Sequence, residues 1–165
     1  MKFDKVMDAG AAFTEVASSV ERSFRNCTST FPTPDMASHL TEAYWHIWRL
    51  AGAYEQANMP SDFKEERSQL MRTIGPVLWK STYYARSYFK PNGISGDFGI
   101  IEMLYDLENQ PLGTPFQSGF PNCLDYSFST IHSVVAIWER RKWLANRLID
   151  LHSTNSGLQI LDMPS

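Results

Sequence analysis

Apolar residues recur at intervals of three and four positions along the first part of the chain, with charged residues between them. This spacing predicts α-helices, because it gathers the apolar side chains on one helical face. The second helix is expected from about Asp35 to Gln56, since Pro34 suits a first helical position and Thr33 can cap it. The first helix spans Phe3 to Phe24, and its apolar face consists of Phe3, Val6, Met7, Phe13, Ala17, Val20 and Phe24.

Helical patterns continue through most of the remaining chain. A third helix starts after Ser61 and meets Gly75-Pro76, where we expect a break or a kink. A fourth stretch runs from Val77 to Tyr88, and Asp97 can cap the helix that follows it. The last helix is predicted from about Leu124 to His152.

The C-terminal stretch "GLQILDMPS" has a different pattern. Ile160, Leu161 and Met163 form a short apolar run with Asp162 inside it, which is typical of a buried strand. A single strand leaves its backbone donors and acceptors without partners unless a neighbouring strand pairs with it. The predicted fold class is therefore mainly α: a helical bundle or cap domain with one C-terminal strand that would open a Rossmann-like α/β domain.

Composition excludes several classes of protein. The 165 residues are 43% hydrophobic and 13% aromatic, which argues against disorder. The net charge of −3 disfavours binding to nucleic acid. No apolar run is long enough to suggest a membrane segment, and the N-terminus does not resemble a signal peptide. Two distant cysteines, Cys27 and Cys123, fit reduced thiols in a cytoplasmic protein.

Two internal segments carry a resemblance to a known family. The stretch "YFKPNGISGDFGIIEMLYD" (Tyr88 to Asp106) resembles a Lys-Pro-x-Gly-x-x-Gly-Asp block in bacterial S-adenosylmethionine-dependent methyltransferases, some of which make hydroxy-fatty-acid methyl esters. The stretch "VVAIWERRKWLANRLID" (Val134 to Asp150) resembles the arginine-bearing helix that leads into their first sheet strand. The resemblance covers roughly the C-terminal half of the chain. Ile94 and Ser95 depart from the aromatic and small residues that usually stand between the glycines.

The resemblance implies a division of the chain into two parts. Residues 1–152 would form a helical substrate-cap domain, and residues 153–165 would form a linker and the first strand of a cofactor-binding domain. The implied cofactor is S-adenosylmethionine, bound weakly or not at all by this chain because the cofactor sheet is missing from it. The implied substrate is a small molecule, and the reaction is methyl transfer or a related alkyl transfer.

A sulfonium donor sets the requirements for the candidate site residues. Aromatic rings attract a sulfonium and its methyl group, so Tyr83, Tyr84 and Tyr88 are candidates for a wall of the site, or else ordinary packed aromatics. Gly93 and Gly96 permit positive φ in a tight loop that faces a ligand.

Four charged residues complete the candidate set. Asp97 would accept from a substrate amine or hydroxyl, or would only cap a helix; Lys90 would pair with a carboxylate, or would be a solvated surface charge. Of the adjacent Arg140 and Arg141, one can point inward to bind the cofactor carboxylate while the other faces water or pairs with a surface acid. Asp162 would lie near the end of the first strand, where doubly wound sheets bind ligands.

Three residues at helical spacing, His39, Glu42 and His46, offer metal-ligand chemistry on one face of the second helix. A solvated helical face explains them better, so we predict no metal site. The alternative to a methyltransferase cap is a self-standing helical module that binds a protein partner. If a missing sheet normally covers these helices, exposed apolar surface favours a homodimer in its absence.

Overall fold

The computed structural model of the protein describes residues 2–26, 32–58, 63–91, 93, 98–109, 119–154 and 157. The chain divides into two compact units, Met1–Ile131 and His132–Ser165. The described residues form helices and no strand, which confirms the helical character of the fold. The helices are α1 (Asp4–Asn26), α2 (Pro34–Ala57), α3 (Phe63–Leu78), α4 (Thr82–Phe89), α5 (Phe98–Asn109), α6 (Phe120–Ser129) and α7 (His132–Thr154).

The first two helices confirm the sequence predictions closely. In α1 the buried face includes Val6, Phe13 and Val20, all of which belong to the predicted apolar set. At the start of α2, Thr33 is the N-cap and its hydroxyl accepts a hydrogen bond from the Met36 backbone N–H at 3.3 Å. Capping of this kind satisfies an N–H group that has no partner inside the helix.

The break predicted at Gly75-Pro76 occurs later in the chain. Helix α3 continues through Pro76 to Leu78, and α4 begins at Thr82 instead of Val77. Proline removes one i→i−4 hydrogen bond, and α3 continues for only two residues beyond Pro76, so this loss comes just before the helix ends. The turn after it is held by two short-range bonds, from Lys80 N to Val77 O (3.1 Å) and from Ser81 N to Leu78 O (3.0 Å).

The single long C-terminal helix predicted from Leu124 to His152 is in fact two helices, α6 and α7. Hydroxyl side chains explain the break. Ser127, Ser129 and Thr130 each donate to a backbone carbonyl three residues earlier, at 2.8, 2.6 and 2.7 Å. Such local bonds compete with the helical backbone pattern and favour its termination.

The core of the first unit lies between α1, α2, α3 and α6. Gly10 of α1 sits where a Cβ atom would approach Leu70 Cδ1 to 2.9 Å, so α1 and α3 come close together at this point. The largest fully buried side chains of the unit include Phe13, Leu40, Ile47, Ile74, Leu78, Leu124 and Phe128.

Two predictions concern the C-terminal part of the chain, of which residues 158–165 lie outside the described structure. The strand predicted at Ile160, Leu161 and Met163 belongs to residues 158–165, and the domain boundary predicted after residue 152 stays a prediction. A search of the described helices for one both long and apolar enough to cross a bilayer found none.

Candidate functional site

Three aromatic side chains form an exposed surface beside α4. One comes directly after α3, and the other two are the last residues of α4. Trp79, Tyr88 and Phe89 are 39%, 47% and 60% exposed. The ring of Trp79 lies 6.0 Å from that of Tyr88 and 5.6 Å from that of Phe89, measured between centroids. We call these three residues the aromatic shelf. Large rings are usually withdrawn from water, so a cluster of them on a surface indicates a place where something binds.

A second aromatic group connects the shelf to the core. Tyr84 stacks on Tyr88 with ring planes 13° apart, and its other neighbours are Tyr44 of α2 and Phe128 of α6. Tyr83 also packs against Phe128. The structure therefore brings the predicted Tyr83, Tyr84 and Tyr88 together on α4, but only Tyr88 is exposed; the other two are half-buried packing residues.

Burial changes the ionisation of the phenols. It raises the pKa of Tyr84 to about 12, and it also raises the pKa values of Tyr83 and Tyr44. These hydroxyls are therefore protonated near neutral pH. They pack behind Tyr88 as neutral groups and do not act as bases near neutral pH.

A buried aspartate that the sequence did not point to fixes the start of α4. Asp125 of α6 is 1% exposed, and its Oδ1 accepts from Ser81 Oγ at 2.6 Å and from the Tyr83 backbone N–H at 3.1 Å. Ser81 Oγ in turn accepts from the Tyr84 N–H at 2.9 Å. Burial raises the pKa of Asp125, while hydrogen bonds from Ser81, Tyr83 and Thr82 oppose that rise.

The other end of α4 leads into the glycine-containing block. Lys90 has a left-handed backbone with φ of 49°, and its N–H donates to Arg86 O at 3.0 Å. Gly93 has φ of 84° and its N–H donates to Lys90 O at 2.7 Å. The predicted positive φ is confirmed for Gly93, and Lys90 is exposed. Gly96 and Asp97 lie outside the described residues.

Arg86 is a further residue of this region that sequence reasoning missed. Its guanidinium lies against the backbone of Gly99 in the first turn of α5, where a Cβ atom would come within 2.6 Å of Cζ. A larger residue at position 99 would require the Arg86 guanidinium to move. The signal in the sequence was the glycine inside an otherwise apolar helix, which often marks a close approach of another group.

The arginine pair lies in the second unit, on α7. Arg140 is exposed and Arg141 is half-buried, as expected for neighbours about 100° apart around a helix. Glu139, the nearby acid, accepts from Lys142 Nζ at 3.3 Å. Asp162 lies outside the described residues.

The three potential metal ligands of α2 do not share one site. His39 and Glu42 line a hollow of about 350 Å³ beside α1, whereas His46 lines a different one of about 490 Å³ with Lys5 and Asp8. No group of three His, Cys, Asp or Glu side chains among the described residues is placed to hold a metal ion.

Cys123 is fully buried on α6, and burial raises the pKa of its thiol to about 12. A protonated and inaccessible thiol is a poor nucleophile, so Cys123 is a packing residue. Cys27 lies outside the described residues.

Comparison with known proteins found no relative: no family model, no curated protein and no solved structure matches the chain.

Proposed function

We propose that this chain is the helical substrate-cap part of an S-adenosylmethionine-dependent methyltransferase, or of a related alkyl-transfer enzyme, that acts on a small molecule. The observation that carries the proposal is the position of the aromatic shelf. Tyr88 and Phe89 are the first two residues of the block that resembles the methyltransferase family, and both are exposed. The chain alone is expected to be inactive, because the cofactor-binding sheet would have to come from outside its 165 residues.

The chemistry of the shelf suits a sulfonium donor. Methyl transfer is an in-line displacement, so the protein has to align donor and acceptor and keep water away from them. Exposed ring faces attract a cation electrostatically and present an apolar wall to water. The neutral phenols behind them, Tyr83 and Tyr84, add no negative charge that would compete as a nucleophile.

The loop after α4 is compatible with a ligand-facing backbone. Gly93 holds a positive φ that a larger residue rarely adopts. Among the described residues, none has an atom within 4 Å of where a Cβ of residue 93 would stand. The proposed role of Lys90 is to pair with a carboxylate of the donor or acceptor, and its exposure leaves it accessible.

The second unit gives independent support. Trp143, Leu144 and Ile149 of α7 are 66%, 50% and 65% exposed. At about 100° per residue, these side chains point in three directions roughly 100° to 140° apart. Exposed charged residues such as Glu139 and Arg147 lie between them, so α7 is not apolar throughout, but large apolar side chains left exposed favour a surface that another element covers. We propose that an α/β domain covers α7 in the complete enzyme, with Arg140 or Arg141 reaching the cofactor carboxylate.

Calorimetric titration tests the proposal. A chain extended past Ser165 by the residues its coding sequence supplies is titrated with S-adenosylmethionine and, separately, with S-adenosylhomocysteine, which lacks the positive charge. Binding of both is expected, with tighter binding of the sulfonium. Replacing Tyr88 and Phe89 by leucine should reduce that preference about two- to fivefold, the size of a partly exposed cation–π contact.

Two results would contradict the proposal. One is the absence of binding heat from an extended chain whose circular dichroism shows it to be folded. The other is a stop codon directly after Ser165. Either result would favour the second candidate, a self-standing helical module that binds a protein partner through the same aromatic shelf, since exposed rings are also characteristic of protein interfaces.

A further inference from the structure

We propose that Asp125 is a positioning residue that docks α4 against α6, and that its protonation state sets the arrangement of the aromatic shelf. The inference goes beyond the proposed function, because it concerns how α4 is held whatever the shelf binds. It rests on the hydrogen bonds at the start of α4, on the small packing area of that helix, and on the aromatic contacts at its far end.

Helix α4 depends on its N-terminal anchor more than a longer helix would. It has only eight residues, and none of them is fully buried. Helices of this length are marginal on their own in water, so tertiary contacts have to hold them. The Asp125 carboxylate supplies such a contact from α6, 42 residues away from Tyr83 in the sequence.

Asp125 and Ser81 together accept hydrogen bonds from the backbone N–H groups at the start of α4. Asp125 Oδ1 accepts from Tyr83 N and from Ser81 Oγ, and Ser81 Oγ accepts from Tyr84 N. Both Ser81 and Asp125 are withdrawn from water, at 0% and 1% exposure. The second carboxylate oxygen, Oδ2, is buried and has no hydrogen-bond partner of good geometry. The backbone and side chain of Thr82 also favour the ionised form of Asp125, as do the donors to Oδ1, but the effect of burial is larger and raises the pKa of Asp125.

This arrangement makes docking of α4 sensitive to ionisation. A buried carboxylate with an unpartnered oxygen is more costly as an anion than as a neutral acid. Release of α4 would let water reach Asp125, so the ionised form favours release and the neutral form favours docking. Docking is therefore strongest below about pH 4, the usual range of aspartate, and weakens as pH rises through the raised pKa of Asp125.

Other ionisable groups of α4, α2 and α6 do not explain the pH dependence of docking. Tyr83 of α4, Tyr44 of α2 and Cys123 of α6 all have raised pKa values and stay neutral in the relevant range. Lys80, next to Ser81, pairs with Glu21 of α1 at 2.8 Å. The groups that shift the Asp125 pKa, apart from burial, are the neutral donors of residues 81–83, and no described charge of α1, α2 or α5 is among them.

The shelf reports the position of α4 directly. Trp79 precedes α4, whereas Tyr88 and Phe89 are its last two residues, so a movement of α4 would change the ring contacts between them. A change at Asp125 would thus reach Trp79 through α4. Asp125→Asn, which cannot ionise, separates this spectroscopic signature from a general loss of stability.

The experiment is ¹⁹F NMR of the 165-residue chain carrying 5-fluorotryptophan, without any ligand, between pH 4 and pH 8. Trp79→Phe assigns the Trp79 resonance. We expect this resonance to shift with pH, with an inflection above the usual range of aspartate. In Asp125→Asn, which keeps the Oδ1 acceptor and cannot ionise, the resonance should stay at its low-pH position throughout. In Asp125→Ala it should stay at the released position throughout.

Asp106→Asn, which removes an exposed acid from α5, is the matched control and should titrate like the natural chain. The inference is overturned if Asp125→Asn titrates like the natural chain, or if the Trp79 resonance of the natural chain does not move with pH. Asp125→Asn decides the matter even where Asp125→Ala does not fold. Because no cofactor is present, the result is independent of the calorimetric test of the proposed function.

Discussion

Two glycines with different surroundings show how single residues shape the helices of the first unit. Gly75 lies under the indole of Trp79, where an added Cβ would come within 2.9 Å of Cζ2. Gly52 of α2 is also within a helix, but an added Cβ there would meet nothing within 4 Å. The first glycine thus makes room for the aromatic shelf, whereas the second only weakens its helix.

The pair yields a residue-scale prediction. Gly52→Ala should raise the free energy of unfolding by about 0.5–1 kcal/mol, because alanine is the better helix former and the site is open. Gly75→Ala should gain less or lose stability, because the indole of Trp79 has to move. Urea denaturation measures both, and the ¹⁹F resonance of 5-fluorotryptophan at Trp79 reports the displacement. Equal stabilisation by the two substitutions, with no shift of the Trp79 resonance, would contradict the assignment of Gly75.

Another residue-scale prediction follows from the raised pKa of Asp125. A folded-state pKa above the unfolded value means that the neutral acid is favoured by folding, so stability falls as pH rises through this window. The free energy of unfolding of the natural chain, relative to that of Asp125→Asn, should decrease from about pH 4 upward and become constant above the raised pKa. Urea denaturation at a series of pH values measures this, and an opposite slope would reverse the assigned direction of the shift.

At the scale of elements, α4 is the shortest of the helices that the structure describes, and its start is held by several hydrogen bonds. Ser81 is its N-cap and is also the link to Asp125. Loss of the hydroxyl would leave the Tyr84 N–H without an acceptor and would remove one of the two donors to Oδ1. By comparison, the Thr33 cap of α2 makes a single bond of 3.3 Å at an exposed position.

We therefore predict that Ser81→Ala costs more stability than Thr33→Ala. An ordinary cap contributes about 1 kcal/mol, and the buried hydrogen bond to a carboxylate at Ser81 adds about 1–3 kcal/mol. Chemical denaturation of the two variants provides the comparison. Equal losses would mean that the bond between Ser81 and Asp125 contributes little to folding.

The elements also show how far the sequence could be interpreted. Apolar periodicity and capping residues predicted α1 and α2 well, because both signals are local. The break at Pro76 was predicted too early, because the cost of a proline depends on its position in the helix. The break at Thr130 was not predicted, because the joint effect of Ser127, Ser129 and Thr130 has no strong sequence pattern. The role of Asp125 could not be predicted, because it depends on contacts with residues more than 40 positions away.

For the candidate site too, the sequence predicted only part of the arrangement. Tyr88 and Gly93 were identified from residue type and spacing, and the structure places them on an exposed surface and at a positive φ. Tyr83 and Tyr84 face the packed interior, which depends on how α4 rotates against α2 and α6. Lys90 adopts a left-handed backbone that glycine or asparagine more often provides, so its conformation had no clear sequence signal.

At the scale of the whole molecule, the two units each expose large apolar side chains. The first exposes the aromatic shelf, and the second exposes Trp143, Leu144 and Ile149. Surfaces of this kind usually mark an interface. In a chain without the proposed α/β domain, the simplest cover is a second copy of the same surface, related by a twofold axis.

We accordingly predict that the 165-residue chain forms a homodimer. Sedimentation velocity over a range of micromolar concentrations tests this, and Trp143→Lys is the matched variant, because a charge in an apolar interface would weaken association. Sedimentation as a monomer at every concentration would contradict the prediction. A dimer that is unaffected by Trp143→Lys would locate the interface elsewhere.

The central claim is that these helices cover an α/β cofactor domain, and side-chain accessibility tests it most directly. Hydroxyl-radical footprinting with mass spectrometry, at a dilution where the 165-residue chain sediments as a monomer, would compare this chain with one extended past Ser165 along its coding sequence. The account predicts that oxidation of Trp143, Leu144 and Ile149 falls severalfold in the extended chain, while the exposed His46 on α2 reacts as before. Unchanged oxidation of these three residues in a folded extended chain would contradict it.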